Sequence, residues 1–362
     1  MKIRKATRKY EAWLTKHLTI VEADLARKHR EMAAGAFPFF RATFYRWMQL
    51  WPERCPGLTK APEVLAVGDL HVENFGTWRD AEGRLTWGVN DFDEAYPLPY
   101  TNDLVRLATS AHLAIWANHL VIGLKDACDA ILDGYRSMLE EGGQPIVLGE
   151  HHHWLREIAT SDLRDPVAYW KKLTSLPAWK DKVPKSARNT LESVFPDRRL
   201  KYQISHRIAG LGSLGRERYV AIADWHGGKI AREVKALAPS AVVWANSGKG
   251  SEKIRYEEIL STAVRCRDPY VHLRGRWILR RLAPDCSRVE LIQLPKKRDE
   301  YRLLWEMGRE TANVHLGSPR ARKAILRDLR KRPSKWLHKA GATMLEATLA
   351  DWKDWKDRSS SS

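Results

Sequence analysis

The sequence predicts an α+β fold in which a mainly helical lobe carries a smaller antiparallel β lobe with a Gly-rich hairpin. Three observations predict it. Leu14, Leu18, Ile20, Val21, Leu25 and Met32 recur at roughly helical intervals among charged residues, and helical sequence returns from Asp299 onward. Between them, segments such as Tyr219-Val220-Ala221-Ile222 are β-prone. A Gly-rich stretch, 210–215, sits between two such segments. The expected organisation has three parts: a helical lobe over 1–198, a β-rich lobe over 199–298, and helices over 299–362 that return to the first lobe.

Each element has a local reason. Gly35-Ala36-Phe37-Pro38 interrupts the first helices, and an aromatic-rich helix resumes over 39–50. Residues 75–78 and 84–89 read as two strands around an Asp80-Ala81-Glu82-Gly83 turn. Pro97-Leu98-Pro99 is expected to form a rigid turn, and Thr101, Asn102 and Asp103 offer caps for a following helix. Helical sequence runs to about Glu140, and a helix, loop and helix pattern fills out to Val194. In the β-rich part, 202–209, 219–222 and 230–237 are strand candidates, and 253–264 is a helix. Residues 271–282 and 289–294 are expected to form a further strand pair. Trp352-Lys353-Asp354-Trp355-Lys356 reads as a capping helix, and Ser359 to Ser362 as a disordered tail.

Composition narrows the class. A hydrophobic fraction of 44% with 16 Trp argues for a folded globular chain with a sizeable core. No run approaches the roughly 18 apolar residues that span a bilayer, so no membrane partner is expected. Cys55, Cys128, Cys266 and Cys286 lack metal-type spacing and read as reduced thiols of a cytoplasmic protein. The net charge of +18 admits nucleic acid or nucleotides as partners, but the basic residues are spread along the chain rather than gathered in a tail. Charge alone decides nothing.

The most informative stretch is Gly68-Asp69-Leu70-His71-Val72-Glu73-Asn74, followed by Asn90-Asp91-Phe92-Asp93. The hairpin between them brings an Asp, an Asn and an acidic pair together. A base, an amide and a carboxylate so placed can hold a hydroxyl and a divalent metal for phosphoryl transfer. Asp69 is the candidate base, and Asn74, Asp91 and Asp93 are the candidate metal ligands.

Gly210-Leu211-Gly212-Ser213-Leu214-Gly215 is a G-x-G-x-x-G sequence. A dinucleotide-binding fold would need a helix after it, whereas Arg216 to Ile222 favour a strand. Strand, Gly-rich loop and strand is the arrangement that covers nucleotide phosphates in kinases. Gly210, Gly212, Ser213 and Gly215 are therefore candidate ATP contacts. Lys235, in the next β-prone segment, can reach the α- and β-phosphates, steadied by Glu257 or Glu258, of which Glu258 is preferred. Consecutive His151, His152 and His153 point in different directions and make a poor chelate.

With these residues in hand, the chain resembles a bacterial family known as domain of unknown function 2252, grouped with the protein-kinase-like and aminoglycoside-phosphotransferase-like proteins. The resemblance runs through Lys28-His29-Arg30-Glu31-Met32, Phe37-Pro38-Phe39-Phe40-Arg41, the Asp69 loop and Asp91-Phe92-Asp93-Glu94. It continues at Asp103-Leu104-Val105-Arg106-Leu107-Ala108, 210–216, Val234-Lys235-Ala236 and 307–317. It implies a circularly permuted protein-kinase-like fold, with the catalytic loop ahead of the Gly-rich loop and ATP and magnesium as cofactors. It also implies that Asp103 hydrogen-bonds the catalytic loop from below, and that 307–317 is the helix that precedes that loop in space. Kinase-like enzymes carry a His or Tyr two residues before the catalytic Asp, and here that residue is Val67. His71 is expected to pack, and Arg41 to pair with an acidic residue. The expected activity is ATP-dependent, magnesium-assisted phosphoryl transfer to a hydroxyl acceptor. The alternatives are a non-catalytic nucleotide- or nucleic-acid-binding pseudokinase, and a nucleotidyl transferase.

Overall fold

The computed structural model of the protein describes residues 1–149, 152–159, 165–286 and 299–357. It is a mixed α+β structure, about half helical, with small antiparallel sheets. The chain opens with α1 (Ile3–Leu14), α2 (Glu22–Ala34), α3 (Ala36–Ala42) and α4 (Phe44–Arg54). The single helix expected over 39–50 is broken at Thr43, whose Oγ donates back to the Phe39 carbonyl at 2.8 Å and whose backbone leaves the helical region. The break turns Phe40 and Phe44 toward the same buried space.

Strand β1 (Glu63–Ala66) leads into the Asp69 loop. The expected hairpin follows as β2 (Phe75–Arg79) and β3 (Leu85–Val89), with Phe75 opposite Val89 and Arg79 opposite Leu85. Its register places the end of β3 beside the start of β2, so Asn90 and Asp91 emerge next to Asn74. Pro97 and Pro99 were expected in a turn, but they lie in β4 (Tyr96–Pro99), which pairs with β1. A two-stranded ribbon leaves one edge of each strand unpaired, and an edge tolerates proline.

Helices α5 (Thr101–Trp116) and α6 (Leu124–Glu141) follow, then β5 (Ile146–Val147), which adds a third strand to the hairpin. Thr101, Asn102 and Asp103 do not cap α5. Thr101 bonds to Leu58, Asn102 accepts from the Trp47 indole, and Asp103 faces the Asp69 loop. Next come α7 (His153–Ala159), α8 (Pro166–Thr174) and α9 (Lys185–Glu192).

The β-rich region is one five-stranded antiparallel sheet, built from β6 (Gln203–His206), β7 (Arg218–Trp225), β8 (Gly228–Ala236), β9 (His272–Arg274) and β10 (Trp277–Leu282). The spatial order is β6-β7-β8-β10-β9, and α10 (Ala241–Ala245) and α11 (Tyr256–Thr262) lie between β8 and β9 in sequence. Residues 271–282, expected to supply one partner of a pair, form a complete hairpin by themselves. The other expected partner, 289–294, lies outside the described residues, as do Ser359 to Ser362 and His151.

Finally α12 (Glu300–His315), α13 (Ala321–Lys331) and α14 (Trp336–Asp357) return to the helical body. Helix α12 packs closely on α6: a Cβ on Gly308 would stand 2.1 Å from the Ile131 carbonyl oxygen, and one on Gly134 only 1.9 Å from that of Trp305. Only glycine allows this approach. Leu104, Val105, Leu107 and Ala108 of α5 are fully buried, so α5 is the spine of the core. No described helix is long and apolar enough to cross a membrane.

Candidate active site

The loop after β1 is held from beneath. The backbone N–H groups of Val67 and Gly68 donate to the two Asp103 carboxylate oxygens at 2.7 and 3.0 Å. Asp103 is fully buried, and His315 Nε2 lies 3.0 Å from its Oδ2 while His315 Nδ1 lies 2.8 Å from the Tyr135 hydroxyl. The loop is thus braced from α5, α6 and the far end of α12. Gly68 has φ +79°, and a Cβ there would stand 2.5 Å from the Glu94 carbonyl oxygen. Both the dihedral and the contact demand glycine.

Asp69 pairs with Arg106 of α5. Arg106 Nε donates to Oδ1 at 2.9 Å and Nη2 donates to the same oxygen. The guanidinium is fully buried, 4.1 Å from the Phe40 ring and 5.0 Å from those of Phe44 and Trp47. An aromatic cage of this kind stabilises a buried cation and fixes its fork. The other carboxylate oxygen, Oδ2, is 3.6 Å from where a Cβ on Gly212 would stand, so it faces the Gly-rich turn.

Asn74 joins the loop to the hairpin exit. Its Nδ2 donates to the main-chain oxygens of Asp69 and Asp91, both at 3.1 Å. Its Oδ1 is buried and has no hydrogen-bond partner among the described residues. A buried acceptor left unpaired costs about 1–3 kcal/mol, so the atom is suited to a cation.

Lys235 stands opposite Arg218 of β7 and Ile278 of β10, and its side chain leaves the sheet toward Asp91 and Asp93. Its Nζ is 2.6 and 2.5 Å from the Asp93 carboxylate oxygens and 3.4 and 3.5 Å from those of Asp91. Burial pushes the Asp93 carboxyl above its ordinary range, with Asp91 adding to the effect and Lys235 opposing it. Burial likewise pulls the Lys235 ammonium down, against the two carboxylates. Beside them on the sheet, Glu233 pairs with Arg218 at 2.6 Å and Arg207 at 2.7 Å.

The Gly-rich segment forms a short turn over Leu211–Ser213. Ser213 Oγ donates to the Gly210 carbonyl at 3.0 Å and accepts from Arg218 at 2.8 Å. Buried Lys28 donates to the Gly212 carbonyl at 2.9 Å, and Gly215 accepts from the Val21 N–H at 2.9 Å. Arg216 reaches Asp93 and Glu94 at 3.4 Å each. Between this turn and the Asp69 loop lies a cavity of about 40 Å³, lined by Lys28, Asp69, Asn74, Asp93, Gly212 and Arg216 among others.

Asp69, Asn74, Asp91, Asp93, Gly210, Gly212, Ser213 and Lys235 therefore converge. Glu258 does not. It sits in the first turn of α11, where Lys253 at 2.8 Å and Arg255 at 2.9 Å take its carboxylate. Glu257 pairs with Arg267, so neither glutamate reaches Lys235, whose counter-charges are Asp91 and Asp93. Arg41 pairs with Glu73, and His71 packs against Phe37. His152 lies 3.5 Å from Glu306.

Sequence reasoning missed the roles of Lys28, Arg106 and Arg216. For Arg106 a signal existed: an arginine inside the apolar run 104–108 must find a buried counter-charge. Lys28 and Arg216 offered none, because their burial depends on how α2 meets the Gly-rich turn.

Residues 20–198 match the model of a family described as "Uncharacterized protein conserved in bacteria (DUF2252)". The match contains Asp69, Asn74, Asp91, Asp93, Asp103 and Arg106 and ends before the Gly-rich turn. No curated protein and no solved structure matches the chain.

Proposed function

We propose that the protein is an ATP-dependent, magnesium-assisted phosphotransferase acting on a hydroxyl acceptor, with a kinase-like fold in circularly permuted order. The observation that carries this reading is that Asp69, Asn74, Asp91, Asp93 and a Gly-rich turn line one cavity, with Lys235 ion-paired to both acidic residues of that lining. The permuted order is supported by His315, which brings the end of α12 under the loop that an unpermuted chain would enter next.

Asn74 Oδ1 and the Asp91 and Asp93 carboxylates are hard oxygen donors, and the unpartnered Oδ1 fits a magnesium ligand. When bound there, magnesium would neutralise and align the β- and γ-phosphates. Asp69 Oδ2 accepts the hydroxyl proton of the acceptor as the new O–P bond forms and the bond to the β-phosphate oxygen breaks. Arg106 keeps that carboxylate oriented. Lys235 offers fixed positive charge to the phosphates, and the backbone of 210–215 covers them. A space of about 40 Å³ is far below the roughly 300 Å³ of a small-molecule pocket, so nucleotide entry requires the Gly-rich turn to lift.

One observation favours a second reading, a nucleotide binder without turnover. Lys235 bridges both carboxylates that would hold the metal, and among the described residues no glutamate draws it away. Incubation with magnesium, ATP and a panel of hydroxyl acceptors, with products identified by mass, separates the readings. ADP formation that falls on the order of 10² to 10⁴-fold in Asp69→Asn supports phosphotransfer. Pyrophosphate release would indicate nucleotidyl transfer, and binding without consumption would indicate the non-catalytic protein.

A further inference from the structure

Away from the cleft, three potential soft-metal ligands meet inside the helical body. His112 of α5, Cys128 of α6 and His338 of α14 place one ligand atom each within 4.8 Å of one another. His112 Nε2 is 3.3 Å from Cys128 Sγ, and the two imidazoles stand edge to face with centroids 5.7 Å apart. His112 is fully buried and Cys128 nearly so. Gly341, one turn along α14 from His338, makes room for the ring: a Cβ there would come within 3.0 Å of His112 Cε1.

We propose that His112, Cys128 and His338 bind one thiophilic divalent cation, with Zn(II) the best fit, and so cross-link α5, α6 and α14. The donor set is two imidazoles and a thiolate, which suits zinc and excludes magnesium or calcium. Zinc bonds of about 2.1 Å to nitrogen and about 2.3 Å to sulfur put ligand atoms roughly 3.5 Å apart in a tetrahedron. The His112–Cys128 pair already meets that spacing, and the His338 ligand atom, within 4.8 Å of the other two, has to move in by about 1 Å. His112 Nε2 also lies 3.2 Å from the Leu124 carbonyl oxygen, a contact that its N–H makes in the metal-free protein and gives up when the cation binds; these contacts account for His112 and Cys128 but not for His338. His338 Nδ1 is buried without a hydrogen bond among the described residues, and a cation would satisfy it. As the sulfur–metal bond forms, the Cys128 thiol releases its proton to solvent, both imidazoles bind neutral, and water takes the fourth position.

The test is cobalt(II) titration of the full chain after treatment with a chelator. One equivalent should bind with a thiolate-to-cobalt charge-transfer band in the near ultraviolet, and zinc should displace it. Cys128→Ser should abolish the band. His338→Gln, at a half-buried residue where the fold tolerates change, should weaken binding about tenfold or more with an unchanged circular dichroism spectrum. No band in the wild type, a band that survives Cys128→Ser, or equal affinity in folded His338→Gln would each overturn the site.

Discussion

Beneath the cavity, the Asp69 loop rests on fully buried groups that brace one another: Asp103 takes two of its N–H groups, His315 and Tyr135 stand behind Asp103, and Arg106 is caged by three aromatic rings. Above it, the 211–213 turn is tied by Lys28 on the Gly212 carbonyl, Arg218 on the Ser213 hydroxyl and Leu211 packed against the cluster of Ile3, Met32 and Phe39. The side that would orient the acceptor is fixed by several buried groups bonded to one another, and the side that would cover phosphates by fewer. Proteins that gate a site need this asymmetry, because the moving part must come from the low-stability end.

The largest effect should come from removing the brace. Asp103→Ala leaves the Val67 and Gly68 N–H groups and His315 without their shared partner, and should cost about 3–5 kcal/mol in chemical denaturation. A loss below about 1 kcal/mol would put the two sides on an equal footing. Gly68→Ala should cost about 3 kcal/mol, since its φ and the Glu94 carbonyl both forbid a side chain. The matching change above the cavity, Gly212→Ala, meets the Arg41 carbonyl at 3.1 Å and Asp69 Oδ2 at 3.6 Å with no forbidden dihedral, and should cost about 1 kcal/mol.

Two buried carboxyls, Glu94 in the cavity wall and Glu310 under β3, make the stability pH-sensitive. Burial pushes Glu94 and Glu310 up to about 7, against Arg216 for Glu94 and Arg265 for Glu310. Their folded pKa values exceed the unfolded ones, so the contribution is fully present below about pH 4.5 and is lost as pH rises through 7. Stability should decline over that window, and Glu310→Gln should flatten the decline. A pH-independent stability from 4.5 to 7.5 would show these groups to be better solvated than they stand. The smallest effect is dynamic: Val67 and Gly68 amide hydrogens should outlast that of Ser213 by at least about tenfold in hydrogen exchange.

Much of this was legible locally. The β2–β3 hairpin follows from its Asp80–Gly83 turn and alternating strands, and the β8 location of Lys235 from a β-prone run. What escaped were relations across the chain. Strands β1 and β4 pair over 30 residues through two prolines, which local reasoning reads as a turn. Arg106 owes its role to Phe40, Phe44 and Trp47, which reach it only because Thr43 breaks a helix. The preference for Glu258 failed because helix phase cannot show that Lys253 and Arg255 stand closer to it than Lys235 does.

In the proposed function, Asn74 and the acidic pair hold magnesium against ATP. Calorimetry of ATP binding with and without magnesium, on wild type beside Asn74→Ala, is the decisive measurement. Wild type should bind ATP at least about tenfold more tightly with the metal, and Asn74→Ala should erase that gain while keeping the metal-free affinity. A wild-type affinity indifferent to magnesium, or a gain that survives in Asn74→Ala, would take the metal away from these residues.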